Sequence, residues 1–547
     1  MSDDSPQTLA QRMRLAFPAP QDVPAQFRPD SSAYERLFLL DGKVRTWEGP
    51  ASEVLSPICL KQGGQCERTL IGNVPAMDET AVMAAVDGAV RAWDNGHGAW
   101  PTASVASRIE AVEGFVARMI QSREEVVRLL MWEIGKNLED SRKEFDRTVE
   151  YIRRTIDALK DLDRTNSRFA FDSGIMAQIR RSPLGVCLSM GPFNYPLNET
   201  YTTLIPALIM GNTVVVKPPK FGTLVHQPLL GAFGECFPPG VVNFIYGPGG
   251  RIIEPIMRSG KIDVLAFIGS SKVADLLKQQ HPHPHRMRGV LSLDAKNPAL
   301  IMPDADLDTA VRESLVGALT FNGQRCTALK IFFVHESIAE KFLARFCDAV
   351  TALPFGMPWR DGVRITPLPE ANKIAELNAY VDDAKAQGAR VVNPGGGTSY
   401  QTLYFPAVVY PIAPAATLYD EEQFGPVIPV LPYREESEFL DFVTHSNFGQ
   451  QVSLFGNDPV KIGGLVDKLA NQVCRINLNS QCQRGPDSMP FTGRKDSAEA
   501  TLSISDALRC FSIRTLVAAE SNPANRDLIE KIVTGRKSSF LNTDFIL

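Results

Sequence analysis

A chain of 547 residues with 44% hydrophobic and 22% charged residues has a globular composition and is too long for one core, so two or three domains are expected. A formal net charge of -5 and an isoelectric point near 5.9 leave no basic footprint for nucleic acid, and no apolar run approaches the ~18 residues that span a bilayer. The opening MSDDSPQTLAQRMRLAFPAP has no cationic start before an apolar stretch, and the nine cysteines, an odd number without a C-x-x-C pair, point to reduced thiols in the cytoplasm rather than a disulfide framework or a secreted chain.

Residues 1 to about 37 carry several prolines and little periodicity, and read as an irregular extension. From Ala103 to Leu162 the pattern is helical. Ile109, Val112, Val116, Met119 and Ile120 form an apolar face, and Ser122 with Glu125 suggests a capping box before Val126 and Val127. Between Pro183 and Leu293, β-rich runs at 184–190, 212–218, 241–247, 263–269 and 289–293 alternate with helical stretches, which predicts a parallel sheet of βαβ units. A second α/β stretch runs from Lys296 to Gly493. The β-like run 510–518 and a polar tail complete the chain.

A doubly wound sheet binds ligands at the carboxyl ends of its strands, where helix N-termini present free N–H groups. The G-x-G-x-x-G fingerprint is absent, and Gly247-Pro248-Gly249-Gly250 reads as turn punctuation. Topology alone therefore gives a nucleotide-binding α/β protein with its substrate open.

Five motifs sharpen this. Gly191-Pro192-Phe193-Asn194-Tyr195-Pro196, Val215-Val216-Lys217-Pro218, Phe267-Ile268-Gly269-Ser270, Gly323-Gln324-Arg325-Cys326 and Glu422-Gln423-Phe424-Gly425-Pro426 occur in the order and spacing of the aldehyde dehydrogenase superfamily. The chain resembles that superfamily over roughly residues 38 to 520. The resemblance implies an α/β fold with two doubly wound parallel-sheet domains and a small β oligomerisation arm. It places an N-terminal extension at 1–37, a cofactor-binding domain at 38–293 with an arm segment at about 165–182, and a catalytic domain at 294–500. An oligomerisation strand at 501–520 and a tail at 521–547 complete the division. An unpaired apolar strand at 510–518 is an edge hazard in a monomer, so a homodimer or homotetramer is expected.

Tyr195, Pro218-Pro219, and Gln483-Arg484-Gly485-Pro486-Asp487 running into Pro490-Phe491 look most similar to the non-phosphorylating, NADP-dependent glyceraldehyde-3-phosphate dehydrogenases. That likeness implies a substrate-phosphate set of Arg147, Tyr195, Arg325 and Arg484, which suits a dianion better than one point charge. A solvated helix face is the plainer reading of Arg147, with Arg153 and Arg154 nearby.

Aldehyde oxidation by this route needs a thiolate that adds to the carbonyl, and Cys326 resembles that nucleophile. Arg325 is a local cation that favours the thiolate. Asn194 and the Cys326 N–H resemble the oxyanion hole. For the cofactor, the resemblance assigns Lys217 to the adenosine ribose and Glu422 to the nicotinamide ribose. It sets Phe424 beside the nicotinamide and gives the pyrophosphate to Gly269 and Ser270. Lys220, where NAD-preferring relatives often carry an acid, favours NADP, with NAD possible.

The departures matter as much. Relatives carry Glu-Leu-Gly-Gly-Lys where this chain has Ser292-Leu293-Asp294-Ala295-Lys296, so the general base that hydrolyses the thioester is replaced by Ser292. Asp294, two residues along a strand, is a possible substitute on the same face. Three readings stand: a dehydrogenase with another base, an acylating enzyme that passes its acyl group to an acceptor other than water, and a degenerate member that binds without turnover. No metal site is expected, because His281, His283 and His285 read as a Pro-rich loop with no completing ligand set.

Overall fold

The computed structural model describes residues 8–30, 32–33 and 35–544. Five parallel strands form the centre of the first sheet, side by side in the order Val242–Phe244, Thr213–Lys217, Val186–Met190, Val264–Ile268 and Arg288–Ser292. Numbered along the chain, that order is third, second, first, fourth, fifth: a doubly wound sheet whose connections reverse beside Val186–Met190. All five strands are buried along almost their whole length, as helices on both faces require. The antiparallel hairpin of Leu37–Leu40 and Lys43–Thr46 extends one edge. At the other edge the short strand Ala498–Glu499 returns from far along the chain to pair with Leu291 and Ser292.

The second sheet orders Arg390–Val391, Ala407–Tyr410, Val427–Tyr433, Ile331–His335, Pro298–Ile301, Gln451–Phe455 and Arg475–Leu478. All its pairings are parallel except that of Arg390–Val391. A third, three-stranded antiparallel sheet joins Phe169–Asp172, Ile175–Pro183 and Ser512–Glu520. Of the run at 510–518, residues 512–518 are therefore paired within their own chain along one side, while Ile504–Cys510 forms a helix rather than the start of the expected strand.

Two local expectations are corrected, and the tail gains a helix. Ser122 does not cap by its side chain. It is a one-residue joint between helices Val105–Gln121 and Arg123–Ile134, and its hydroxyl donates to Pro228 O at 3.4 Å. Its N–H is already taken by Met119 O at 3.0 Å, because the first helix's final turn runs straight into the second helix. The N-terminal extension is folded where it is described. Thr8 and Gln11 form a capping box on helix Leu9–Ala16, Phe17 is fully buried, and its ring lies 5.8 Å from that of Tyr400. Residues 1–7 of that extension lie outside the described residues. The polar tail holds a helix, Pro523–Thr534, capped by Asn522. Beyond it, Leu541 is buried and Asn542 O accepts from Gln178 Nε2 at 2.6 Å. Among the described residues, no helix is long and apolar enough to cross a membrane.

Candidate active site

Asn194 lies in the loop between strand Val186–Met190 and the wholly buried helix Asn198–Ile209. That loop must pass close to the helix: a Cβ on Gly191 would sit 1.8 Å from Thr200 Oγ1. Asn194 is buried, and its Nδ2 donates to Gln324 O at 2.9 Å, which ties it to the segment just ahead of Cys326. Its carbonyl accepts from Lys136 Nζ at 2.7 Å. Lys136 is fully buried, ion-paired with Glu144, and stacked 3.6 Å from the centre of the Tyr195 ring. The other Glu144 oxygen accepts from Leu197 N at 3.1 Å and Asn198 N at 3.2 Å, satisfying amides at the helix start.

The loop before Cys326 runs through three consecutive left-handed residues, Phe321 (φ 51), Asn322 (φ 56) and Gly323 (φ 72). Two of them are not glycine, so the conformation has to be held by its surroundings. The Asn322 side chain does this, accepting from Thr366 N at 3.0 Å and donating to Thr366 O at 3.1 Å. Cys326 itself is half-buried, and its carbonyl accepts from Asn297 Nδ2 at 2.7 Å. Burial pushes its thiol pKa up. Lys330 and Arg325 oppose that rise, while Glu422 adds to it.

Cys326 opens onto a cavity of about 320 Å³ also lined by Arg147, Tyr195, Arg325, Arg484 and Glu199. All four residues expected to hold a phosphate thus share one space with the candidate nucleophile. Their charges are not free. Arg147 makes a fork to Asp487 at 3.0 and 2.6 Å. Arg484 is ion-paired with Glu199 and lies 3.4 Å from Asp487. Arg325 Nη2 donates to Gly317 O at 2.8 Å, while its Nε is buried without a partner. Burial takes the Arg484 pKa down to about 10, with the neighbouring Arg147 adding to the effect. Glu199 was not singled out from the sequence and Asp487 entered only as the end of a motif without a role, because no local pattern marks a carboxylate whose partner, Arg484 or Arg147, lies far along the chain.

The expected cofactor residues gather at the carboxyl edge of the first sheet. Met190 pairs with Lys217 on one side and Phe267 on the other, so Lys217 and Gly269 flank one strand end. Burial lowers the Lys217 pKa to about 8, and no charged partner contributes. Lys220 is exposed, its ammonium 5.3 Å from the centre of the Phe221 ring. Ser270 caps helix Ser271–Gln280 by accepting from Val273 N at 3.4 Å. Phe424, itself left-handed, lies 5.7 Å from Phe193 with Lys330 over its face at 5.1 Å. Glu422 is ion-paired with Lys330 and accepts from Ala295 N at 3.4 Å.

The matching family model, the aldehyde dehydrogenase family, covers residues 64–516. The chain belongs to that family. It is 32% identical over 438 residues to an NADP-dependent glyceraldehyde-3-phosphate dehydrogenase of Streptococcus equinus, covering 78% of this chain and 88% of that protein. The like-named enzyme of Pisum sativum is 30% identical, with 62% of this chain and 68% of that protein covered. Among solved structures, the NADP-dependent glyceraldehyde-3-phosphate dehydrogenase of Bacillus halodurans C-125, complexed with NADP, superposes with a TM-score of 0.81 at 27% identity. It covers 89% of this chain and all of that one.

Against the aldehyde dehydrogenase pattern, the altered strand end behaves differently from the expectation. Strand Arg288–Ser292 stops at Ser292, which is buried, so strand alternation does not carry Asp294 onto the same face. Asp294 instead turns to the next helix and accepts from Ser271 N at 2.8 Å and Ser271 Oγ at 2.9 Å. An unsatisfied helix N-terminus is the stronger attraction for a short carboxylate. His281 Nε2 meets Ile262 O at 3.1 Å and its Nδ1 accepts from His283 N at 3.1 Å, which commits that ring to backbone.

Proposed function

We propose that this chain is an NADP-dependent aldehyde dehydrogenase that forms a thioester on Cys326 from a small phosphorylated aldehyde, of which glyceraldehyde 3-phosphate is the model. The observation that carries this reading is the single cavity shared by Cys326, Tyr195 and three arginines. In this scheme residues 38–293 hold the cofactor, 294–500 carry the nucleophile, and the strand Ser512–Glu520 builds a homodimer or homotetramer. The compartment is the cytoplasm.

The Cys326 thiolate adds to the carbonyl carbon. The free N–H of the Asn194 amide, with the Cys326 N–H, holds the oxygen as it gains charge. Arg147, Arg325 and Arg484 orient the phosphate, with Glu199 and Asp487 giving up part of their hold on the arginines. Lys217 and the exposed Lys220 fit the adenosine end of NADP, since Lys217 is desolvated without a charged partner. NADP, when bound, supplies the hydride acceptor.

Stopped-flow mixing of enzyme, NADP and aldehyde tests the scheme. A burst of NADPH equal to the active-site concentration, larger or faster with the phosphorylated aldehyde, is expected. No burst with NADP binding intact would sink catalysis, and equal bursts would sink the phosphate pocket. A second reading, transfer of the acyl group to an acceptor other than water, is favoured by Ser292 at the base position and by Asp294 being turned away. It expects the burst to be followed by turnover that a thiol acceptor accelerates. A Ser292→Glu variant is then expected to raise the steady-state rate in water towards the ~10²–10⁴ that one general base supplies.

A further inference from the structure

The helix Ser271–Gln280 starts at the carboxyl edge of the first sheet, one strand away from Lys217. Its first amides are the donors a dinucleotide's pyrophosphate needs there. Asp294 already occupies the first of them, that of Ser271: one carboxylate oxygen, Oδ2, accepts from both the N–H and the hydroxyl of Ser271. Lys217, on the same edge, is a cation whose pKa is lowered by burial alone, so a lysine faces the adenosine half of the crevice while a carboxylate holds the pyrophosphate half. The two halves of one crevice are thus prepared oppositely. Further along, Ala295 N donates to Glu422, so a second carboxylate lies next to Asp294. Burial raises the Glu422 carboxyl and Asp294 adds to the rise, as two like charges at close range require.

We propose that Asp294 is a built-in competitor for the pyrophosphate site, a specificity-determining residue that the dinucleotide must displace from Ser271 before it seats. The proposal rests on the NADP reading above. An anionic carboxylate and an anionic pyrophosphate cannot share the Ser271 donors. Binding of the full dinucleotide therefore carries the loss of two charge-assisted hydrogen bonds as well as Coulomb repulsion. A ligand that reaches only Lys217 escapes both. No covalent bond forms or breaks; the exchange is one anion for another at the same hydrogen-bond donors.

The test measures dissociation constants by titration calorimetry on the full chain and on two variants, Asp294→Gly and Asp294→Asn, for NADP and for adenosine 2′-monophosphate. The amide of Asp294→Asn keeps an acceptor for Ser271 while removing the charge, which guards against a variant that merely fails to fold. Expected is NADP binding about tenfold or more tighter in both variants, with adenosine 2′-monophosphate unchanged. A residue that only capped the helix would give equal or weaker NADP binding on removal. That result, with adenosine 2′-monophosphate still bound, would overturn the proposal and leave the cofactor reading standing. If neither ligand binds any of the three proteins, the cofactor reading itself falls, and the proposal with it.

Discussion

Glu199 is the residue on which the substrate reading turns. It holds Arg484 in a buried ion pair inside the cavity, so one of the guanidinium forks meant for a phosphate is already answered by a carboxylate. Removing it returns a desolvated cation to the ligand, and a charge-assisted hydrogen bond to such a cation contributes ~1.5–3 kcal/mol. Glu199→Leu is expected to lower KM for the phosphorylated aldehyde about tenfold or more, while KM for an unphosphorylated aldehyde stays level or rises. An equal change for both would show that Glu199 shapes the cavity without governing charge. Lys217 gives a second test, by pH. Its pKa is brought down by burial to about 8, so it is a cation below that pH and neutral above it. Anion binding prefers the protonated form. NADP affinity is therefore expected to hold steady below pH 8 and to weaken above it, by up to about tenfold per pH unit. A Lys217→Met variant should flatten the profile, and a wild-type affinity indifferent to pH between 7 and 9.5 would remove Lys217 from the cofactor site.

Among elements, the loop before Cys326 concentrates strain. Gly323 is left-handed, and a Cβ there would lie 2.7 Å from Ala318 O and 2.9 Å from Gly425 O. Gly323→Ala therefore combines a left-handed alanine, ~1–2 kcal/mol, with two backbone clashes that the loop can relieve only by moving Cys326. The expected outcome is a lower Tm together with loss of most of the NADPH burst, read by calorimetry and stopped flow. A full burst would show that the loop tolerates displacement. This loop also shows what a sequence reveals. Cys326, Asn194 and the four phosphate candidates were legible because their motifs are local, and the five central strands because β-rich runs bounded by turns need no distant information. The clamp of Asn322 on Thr366 was not legible, nor the return of Ala498–Glu499 to Ser292, because each pairs segments with no pattern in common. Ser122 and Glu125 carried the pattern of a capping box, but between two helices in direct succession the Ser122 N–H goes to Met119 O and its hydroxyl to Pro228 O. Asp294 was read along a strand that ends before it, and the helix beside it decided where its carboxylate went.

At the scale of the molecule, the described residues near both termini pack back onto the body of the protein: Phe17 lies against Tyr400, and Leu541 and Asn542 lie at the arm. Arg180, in the middle strand of the arm, is buried and ion-paired with Asp163. Its remaining donor capacity goes to Asn542, whose Oδ1 accepts from Arg180 Nη1 at 2.7 Å and whose carbonyl accepts from Gln178 at 2.6 Å. Ser539 Oγ adds a bond to Thr102 O at 2.9 Å, and Leu541 is buried beside them. Ending the chain at Gly535 strips partners from two buried polar side chains and uncovers apolar surface, a loss of ~2–6 kcal/mol at 1–3 kcal/mol for each group left unsatisfied. None of residues 536–544 lines the cavity around Cys326. The strand Ser512–Glu520 presents exposed Ile513 and Leu516 on the same arm, the surface through which the proposed oligomer forms. The truncated chain is therefore expected to unfold at lower denaturant and to sediment as a smaller species at equal concentration, while each folded active site keeps its NADPH burst. If sedimentation is unchanged although stability falls, the tail braces the arm only within its own subunit. If the burst falls in proportion to stability, the arm and the Cys326 loop belong to one cooperative unit.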